Sequence, residues 1–191
     1  TNYSQENIGF DGKDVTVGYA RAGVRSNLGD LVWTYKPVLK QGLVGGELSQ
    51  AWPLYNLAET KPKLSAGGTK KVADKTVYVV KLIPRGGSDF DINLFFDSET
   101  FQHLRTEYMH TIVPQLGANV DASAGQRPTR YKMIEEFSDF KKEGELTLPH
   151  SYKISLELDT RIPFRGNWEL TLNQFGFNQT IPPAMFNAAK Q

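Results

Sequence analysis

Alternation of hydrophobic and polar positions, the pattern typical of β-strands, dominates the chain. It is cleanest over residues 146–158, where the side chains of one parity are all apolar or aromatic apart from His150. The side chains of the other parity in this stretch are mostly polar. A period of two sustained over this length predicts a strand with one buried face and one solvated face. The same alternation in Asp91–Asp97 predicts a second strand, and it begins again at residues 168–177.

Shorter signals predict the remaining strands. Ile8–Phe10 and residues 15–19 flank Asp11 and Gly12, a dipeptide that supplies the positive φ angles of a tight hairpin turn. Residues 76–83 are apolar on both faces, as in a central strand that is covered on both sides. Further strands are predicted at residues 101–108 and 130–137, which gives about eight strands in all.

Helical spacing is confined mainly to residues 38–59, where apolar side chains recur at mixed steps of three and four. One or two short helices are expected there, and Pro53 opens the second. Residues 31–35 fit either a strand or a helix, and the Lys- and Gly-rich residues 61–74 indicate a loop or a ragged hairpin. Polar connections are predicted at residues 117–129, and one helical turn at residues 184–189.

Strands that follow one another without helices between them cannot form parallel crossovers. The predicted fold class is therefore α+β and mainly β, with an antiparallel sheet and short helices packed on one of its faces. The length of 191 residues suits a single domain spanning residues 1–191.

Composition excludes several functional classes. A net charge of +1 argues against a nucleic-acid partner, because phosphate binding needs a clustered basic face. No apolar run approaches the roughly 18–20 residues of a transmembrane helix. The chain has no cysteine, which removes disulfides, thiolate catalysis and cysteine-ligated metals.

Candidate catalytic and metal-binding groups do not combine into a site. The three histidines lack metal-ligand spacing, and His150 is expected to be a hydrogen-bonded structural residue. The acidic residues between Asp89 and Glu99 lack the glycine and glutamate of a calcium loop, so a solvated face is expected. Glu135 and Glu136 are adjacent on a strand, point to opposite faces and cannot act as a catalytic pair. The sequence therefore predicts no metal, no cofactor and no enzymatic activity.

Aromatic residues make up 12% of the chain. They suit a packed core, since aromatic side chains dominate core area. They equally suit a curved sheet whose concave side holds an apolar ligand. The residues alone leave both interpretations open.

Three stretches of the chain form a set. The first is Phe10-Asp11-Gly12-Lys13 with the strand that follows it. The second is the meander of residues 77–84, 92–97 and 101–108. The third is the C-terminal series Phe-Ser-Asp-Phe, Leu-Pro-His, Phe-Asn and Phe, at residues 137–140, 148–150, 177–178 and 186. Together they resemble the LolA/LolB-like family of bacterial lipoprotein carriers and outer-membrane lipoprotein-sorting-like proteins.

This resemblance implies a strongly curved antiparallel sheet, an incomplete β-barrel, with short helices over its concave face. Carriers of the family hold lipoprotein acyl chains in that cavity, so the resemblance implies a non-enzymatic protein of the bacterial periplasm or cell envelope that binds a lipid, an acyl chain or another apolar ligand. Residues 43–57 would form the lid. The implied ligand-binding residues are Leu43, Leu48, Trp52, Tyr55, Phe96, Leu104, Tyr152, Ile154 and Trp168.

The resemblance also implies a chain that lacks N-terminal elements of the full-length protein, because family members begin with a helix and several strands before the Asp-Gly-Lys segment. The signal peptide would likewise lie outside this chain. The alternative function is an interaction or sensor module of the envelope whose cavity is filled by its own side chains.

Overall fold

The computed structural model describes residues 5–10, 14–36, 54, 57–114, 127–160 and 162–186. The chain divides into two compact units. One comprises Thr1–Thr60 with Gln174–Gln191, and the other comprises Lys61–Asn173. Within the described residues the protein is mainly β, as predicted.

The larger unit is a seven-stranded sheet with the order β3-β4-β5-β6-β7-β8-β9. Every neighbouring pair is antiparallel, so the sheet is a simple meander and the predicted antiparallel arrangement is confirmed. Its strands are β3 (Lys63–Val72), β4 (Lys75–Ile83), β5 (Asp91–Asp97), β6 (His103–Ile112), β7 (Thr129–Glu143), β8 (Leu146–Asp159) and β9 (Phe164–Thr171).

The strands with strict alternation fall where they were predicted, notably β5 and β8. One expectation was left open and one was wrong. The Lys- and Gly-rich stretch, interpreted as a loop or a ragged hairpin, is not a loop but contains a ten-residue strand, β3, which forms an irregular hairpin with β4. The last strand was misplaced, since it lies at Phe164–Thr171 and not at residues 168–177.

Two bulges interrupt an otherwise continuous ladder. The register shifts between Ala66 and Thr69 on β3 and between Phe95 and Phe96, opposite β6. Bulges of this kind bend a strand and increase its local twist. Asp139 is left out of the pairing of β7 with β8 and adopts a φ of 53°, but the register is the same on both sides of it.

The smaller unit contains the predicted N-terminal hairpin, β1 (Ile8–Phe10) with β2 (Val15–Val17). Residues 31–35, left open between strand and helix, belong to helix α1 (Asn27–Thr34). Ser26 caps α1 by accepting a hydrogen bond from the Gly29 backbone N–H at 3.0 Å, a strong helix-start signal. Helix α2 (Leu57–Thr60) and a 3-10 helix (Pro183–Phe186) complete the described elements of this unit.

Cross-strand register divides the side chains of the large sheet between two faces. We call one the apolar face, and most of its central members are less than 9% exposed. These are Leu82, Ile92, Leu94, Tyr108, Met133, Phe137, Tyr152, Ile154 and Leu156. The opposite side, the polar face, carries charged residues over β6–β9 and a small apolar corner on β4 and β5 formed by Val77, Val79 and Phe95.

Candidate ligand-binding face of the sheet

The structure brings four of the nine predicted ligand-binding residues to one face. Phe96, Tyr152, Ile154 and Trp168 all lie on the apolar face. Leu104 lies on the other side of the sheet, where it packs against the apolar corner. Leu43, Leu48, Trp52 and Tyr55, with most of the predicted lid, fall outside the described residues.

A chain of ring contacts joins Phe96 to Tyr152 across four strands. Phe96 stacks on His103 with ring centroids 5.0 Å apart, and His103 lies 5.2 Å from Phe137. Phe137 stacks on Tyr152 at 5.1 Å with nearly parallel planes. Offset ring pairs of this kind add stability beyond the area that they bury. This part of the apolar face is therefore held in one arrangement.

The apolar face becomes partly open toward β9. Phe164, Trp168 and Leu170 are only half-buried, whereas the central members of the face are buried. The rings of Phe164 and Trp168 fold over Gly166, since a Cβ atom there would lie 2.8 Å from both. The accessible end of the apolar face is thus an aromatic surface built around a glycine.

A buried carboxylate lies among these apolar groups. Glu135 on β7 is 2% exposed, and each of its carboxylate oxygens accepts a hydrogen bond of 2.5 Å from a buried phenol. Tyr108 donates to Oε2 and Tyr152 donates to Oε1. Acceptance at both oxygens suits an ionised carboxylate.

Tyr108 is held in its neutral, donating form. Burial raises the pKa of Tyr108 well above its usual value, and the neighbouring charge of Glu135 raises it further. A phenol that keeps its proton remains a donor to Glu135 across the physiological range of pH. The cluster therefore acts as a fixed polar anchor inside an apolar face.

Sequence reasoning did not single out Glu135 as a buried group. It did predict that Glu135 and Glu136 point to opposite faces, and this is confirmed, because Glu136 pairs with Arg105 on the polar face. The signal available in the sequence was the alternation of the strand, because Glu135 has the same parity as the apolar residues Met133 and Phe137. A carboxylate at such a position requires donors from neighbouring strands.

The polar face holds a groove of about 860 Å³. Its floor includes a row of directly opposed residues with alternating charge, which runs across β6, β7, β8 and β9. These residues are Arg105, Glu136, Lys153 and Glu169. Leu104 and Val72 form an apolar side of the groove, so it is amphipathic.

The acidic stretch predicted to be a solvated face is only partly so. Asp91, Asn93 and Asp97 do share a face, but Asp97 is buried at 6% exposure. It accepts a hydrogen bond from Lys75 Nζ at 2.7 Å, and its Oδ1 accepts from the backbone N–H groups of Glu99 and Thr100. These donors lower the pKa of Asp97 from 3.8 to about 2. Asp97 therefore organises the β5–β6 turn.

Acid is expected to weaken this turn within a defined window of pH. Because the pKa of Asp97 is lower in the folded protein, its contribution to stability is complete above pH 3.8 and is lost as the pH falls toward 2. Urea unfolding of the wild type and Asp97→Asn across this range should show the two free energies of unfolding converging as the pH falls. Lys75→Met, which keeps the two backbone donors, should show an intermediate dependence, and a constant difference between wild type and Asp97→Asn would contradict this account.

Among the described residues, no group of three or more His, Asp or Glu side chains is placed to hold a metal ion. No helix in the described ranges has the length and apolar character needed to cross a bilayer. Comparisons with models of protein families, with curated proteins and with solved structures find no match for this chain.

Proposed function

We propose that the protein is a non-enzymatic binding protein of the bacterial cell envelope that holds a lipid, a lipoprotein acyl chain or another apolar ligand against the apolar face. The observation that carries this proposal is the shared position of Phe96, Tyr152, Ile154 and Trp168 on that face. Each acyl methylene buried there contributes about 0.8 kcal/mol, so binding needs no catalytic or charged group.

The finer form of the proposal is a strongly curved sheet, an incomplete β-barrel as in the LolA/LolB-like family. Long strands and two bulges support it, because twist accumulates along β7 and β8 and each bulge adds a bend.

A second candidate function is an interaction or sensor module with a filled interior. The packing at the centre of the apolar face favours it, since Leu94, Tyr108, Tyr152 and Leu156 are each 1% exposed or less. Close packing of that kind leaves no room for a chain among these four residues. The two candidates differ in whether the half-buried end of the face, around Trp168, accepts a ligand.

Quenching of tryptophan fluorescence by a brominated fatty acid tests the proposal directly. The chain has three tryptophans, and two variants isolate those of interest. Trp33→Phe with Trp52→Phe leaves Trp168, and Trp52→Phe with Trp168→Phe leaves Trp33, which is exposed beside Arg25 and Lys36. We expect saturable quenching of Trp168 and little quenching of Trp33, because bromine quenches only at short range.

Native mass spectrometry of the gently purified protein provides the second readout. A bound acyl species, identified after denaturing extraction, would support the binding protein and name its ligand class. A ligand-free mass together with equal or absent quenching of the two tryptophans would overturn the proposal and favour the interaction module.

A further inference from the structure

The two edge strands of the large sheet differ in how they are protected against pairing. The β3 edge carries a bulge, three lysines (Lys63, Lys70 and Lys71) and Gly68 at a φ of 83°, which are standard devices against edge-to-edge association. The β9 edge has none of them. It pairs with β8 over eight successive positions without a register shift and contains neither lysine nor proline.

The backbone of β9 presents a regular set of hydrogen-bonding groups on its outer side. Among the strands that the structure describes, β9 has β8 as a neighbour and none beyond it. The Leu172 N–H donates to the His150 carbonyl at 2.8 Å, so even-numbered residues direct their backbone toward β8. By alternation, Arg165, Asn167, Glu169 and Thr171 direct theirs outward.

We propose that β9 pairs with β9 of a second copy of this chain in antiparallel fashion, with Asn167 on the two-fold axis. This register places Arg165 opposite Glu169 of the second copy, and Glu169 opposite its Arg165. On the apolar face it places Phe164 opposite Leu170 and Gly166 opposite Trp168. The strand is therefore self-complementary in charge on one face and in apolar character on the other.

Other registers lack this complementarity. A two-fold axis at Gly166 would place Arg165 opposite Asn167, and a two-fold axis at Trp168 would place Arg165 opposite Thr171. An axis at Arg165 or Glu169 brings like charges together, which is destabilising. The side chains concerned are accessible, with Arg165 83% exposed and Glu169 73% exposed.

The charges within each copy continue the same pattern. Arg105, Glu136, Lys153 and Glu169 alternate in sign up to the β9 edge of one copy. In the second copy the row continues through Arg165, Glu157 and Lys132, which are also directly opposed residues. Pairing at Asn167 thus joins two alternating rows without a break in sign.

Disulfide trapping can determine the register, because the chain contains no native cysteine that would compete with an introduced one. Directly opposed, hydrogen-bonded residues have Cα atoms about 5.5 Å apart, within disulfide range. Asn167→Cys should therefore form a covalent dimer under mild oxidation. Arg165→Cys and Glu169→Cys should each stay monomeric alone, because in this register each residue lies about 14 Å from the same residue of the second copy. A mixture of the two variants should cross-link, because residue 165 of one copy lies opposite residue 169 of the other.

Charge reversal tests the same pairing without covalent chemistry. Arg165→Glu and Glu169→Arg should each weaken self-association by about tenfold or more in sedimentation equilibrium. An equimolar mixture of the two variants should recover association, because each then faces an opposite charge. Both changes lie on exposed positions and leave the sheet folded, which circular dichroism checks.

Several outcomes would overturn the proposal. They are a wild type that remains monomeric at the highest concentration it tolerates, single reversals that associate as the wild type does, and trapping at Arg165→Cys alone in place of Asn167→Cys. Weakened association of each single reversal, together with recovery in their equimolar mixture, would establish the Asn167-centred pairing.

Discussion

Replacement of Glu135 by alanine is expected to lower the free energy of unfolding by about 2–6 kcal/mol, because it leaves two buried phenols without their acceptor. Tyr108 and Tyr152 are each 1% exposed, so neither hydroxyl regains a hydrogen bond from bulk water. Loss of the acceptor of a buried hydroxyl costs about 1–3 kcal/mol. Equilibrium urea unfolding, followed by the β-sheet signal in circular dichroism, measures the loss.

Glu136→Ala is the matched control. The residue is next in the same strand and undergoes the same chemical change, but its side chain is 36% exposed and its pair with Arg105 lies on the polar face. A pair this exposed contributes about 1 kcal/mol or less. Equal losses for the two variants would show that Glu135 is not a buried anchor.

Removing one phenol at a time separates the contributions within the cluster. Tyr108→Phe and Tyr152→Phe each delete one donor and keep the ring. Because both hydroxyls donate to the same carboxylate, the combined variant should depart from additivity. Additive losses would indicate that the two hydrogen bonds act independently.

The elements predicted well from the sequence are those buried on one face. In β5 and β8, one-sided burial imposes a period of two on the residues, and that period can be found without knowledge of the fold. The β3 strand could not be told from a loop for the converse reason. Most of its residues are exposed, so neither face selects apolar side chains and no alternation appears.

The displaced boundary of β9 has a different cause. The residues of β9 that lie on the apolar face are Phe164, Gly166, Trp168 and Leu170, and the glycine interrupts this series of apolar side chains. The space that a side chain would fill at Gly166 is taken by the rings of Phe164 and Trp168. Alternation therefore became visible only from Trp168 onward.

Alternation along the strands predicted which site residues share a face wherever that alternation was uninterrupted. Phe96 keeps the parity of Leu94 along β5, and Tyr152, Ile154 and Trp168 lie where the register of β8 and β9 is regular. Leu104 has the parity of Tyr108, but the irregularity opposite Phe95 and Phe96 inserts one residue in β6 and moves Leu104 to the polar face. Glu135 depends on phenols from β6 and β8, which lie 27 and 17 positions away. The alternation of β7 indicates that Glu135 is buried, but contacts at that separation leave no local signal of its two partners.

Leu94→Ala should be among the most damaging truncations of an aliphatic side chain on the apolar face, with a loss of about 2–5 kcal/mol in the free energy of unfolding. Leu94 is 0% exposed and lies in the cross-strand row that contains Thr106, Glu135 and Ile154. Its removal opens a cavity beside Thr106, and the hydrogen bond between Thr106 and His103 limits how far the site can collapse around it.

Leu64→Ala makes the same chemical change on the same face, where Leu64 is 42% exposed on the edge strand β3. A half-exposed leucine loses little transfer free energy on truncation, so its variant should remain within about 1 kcal/mol of the wild type.

The comparison also bears on function. If an added fatty acid restores the stability of Leu94→Ala, the cavity accepts an acyl chain at the centre of the apolar face. If the loss is unchanged by the ligand, the close-packed centre is structural and binding is restricted to the half-buried end around Trp168.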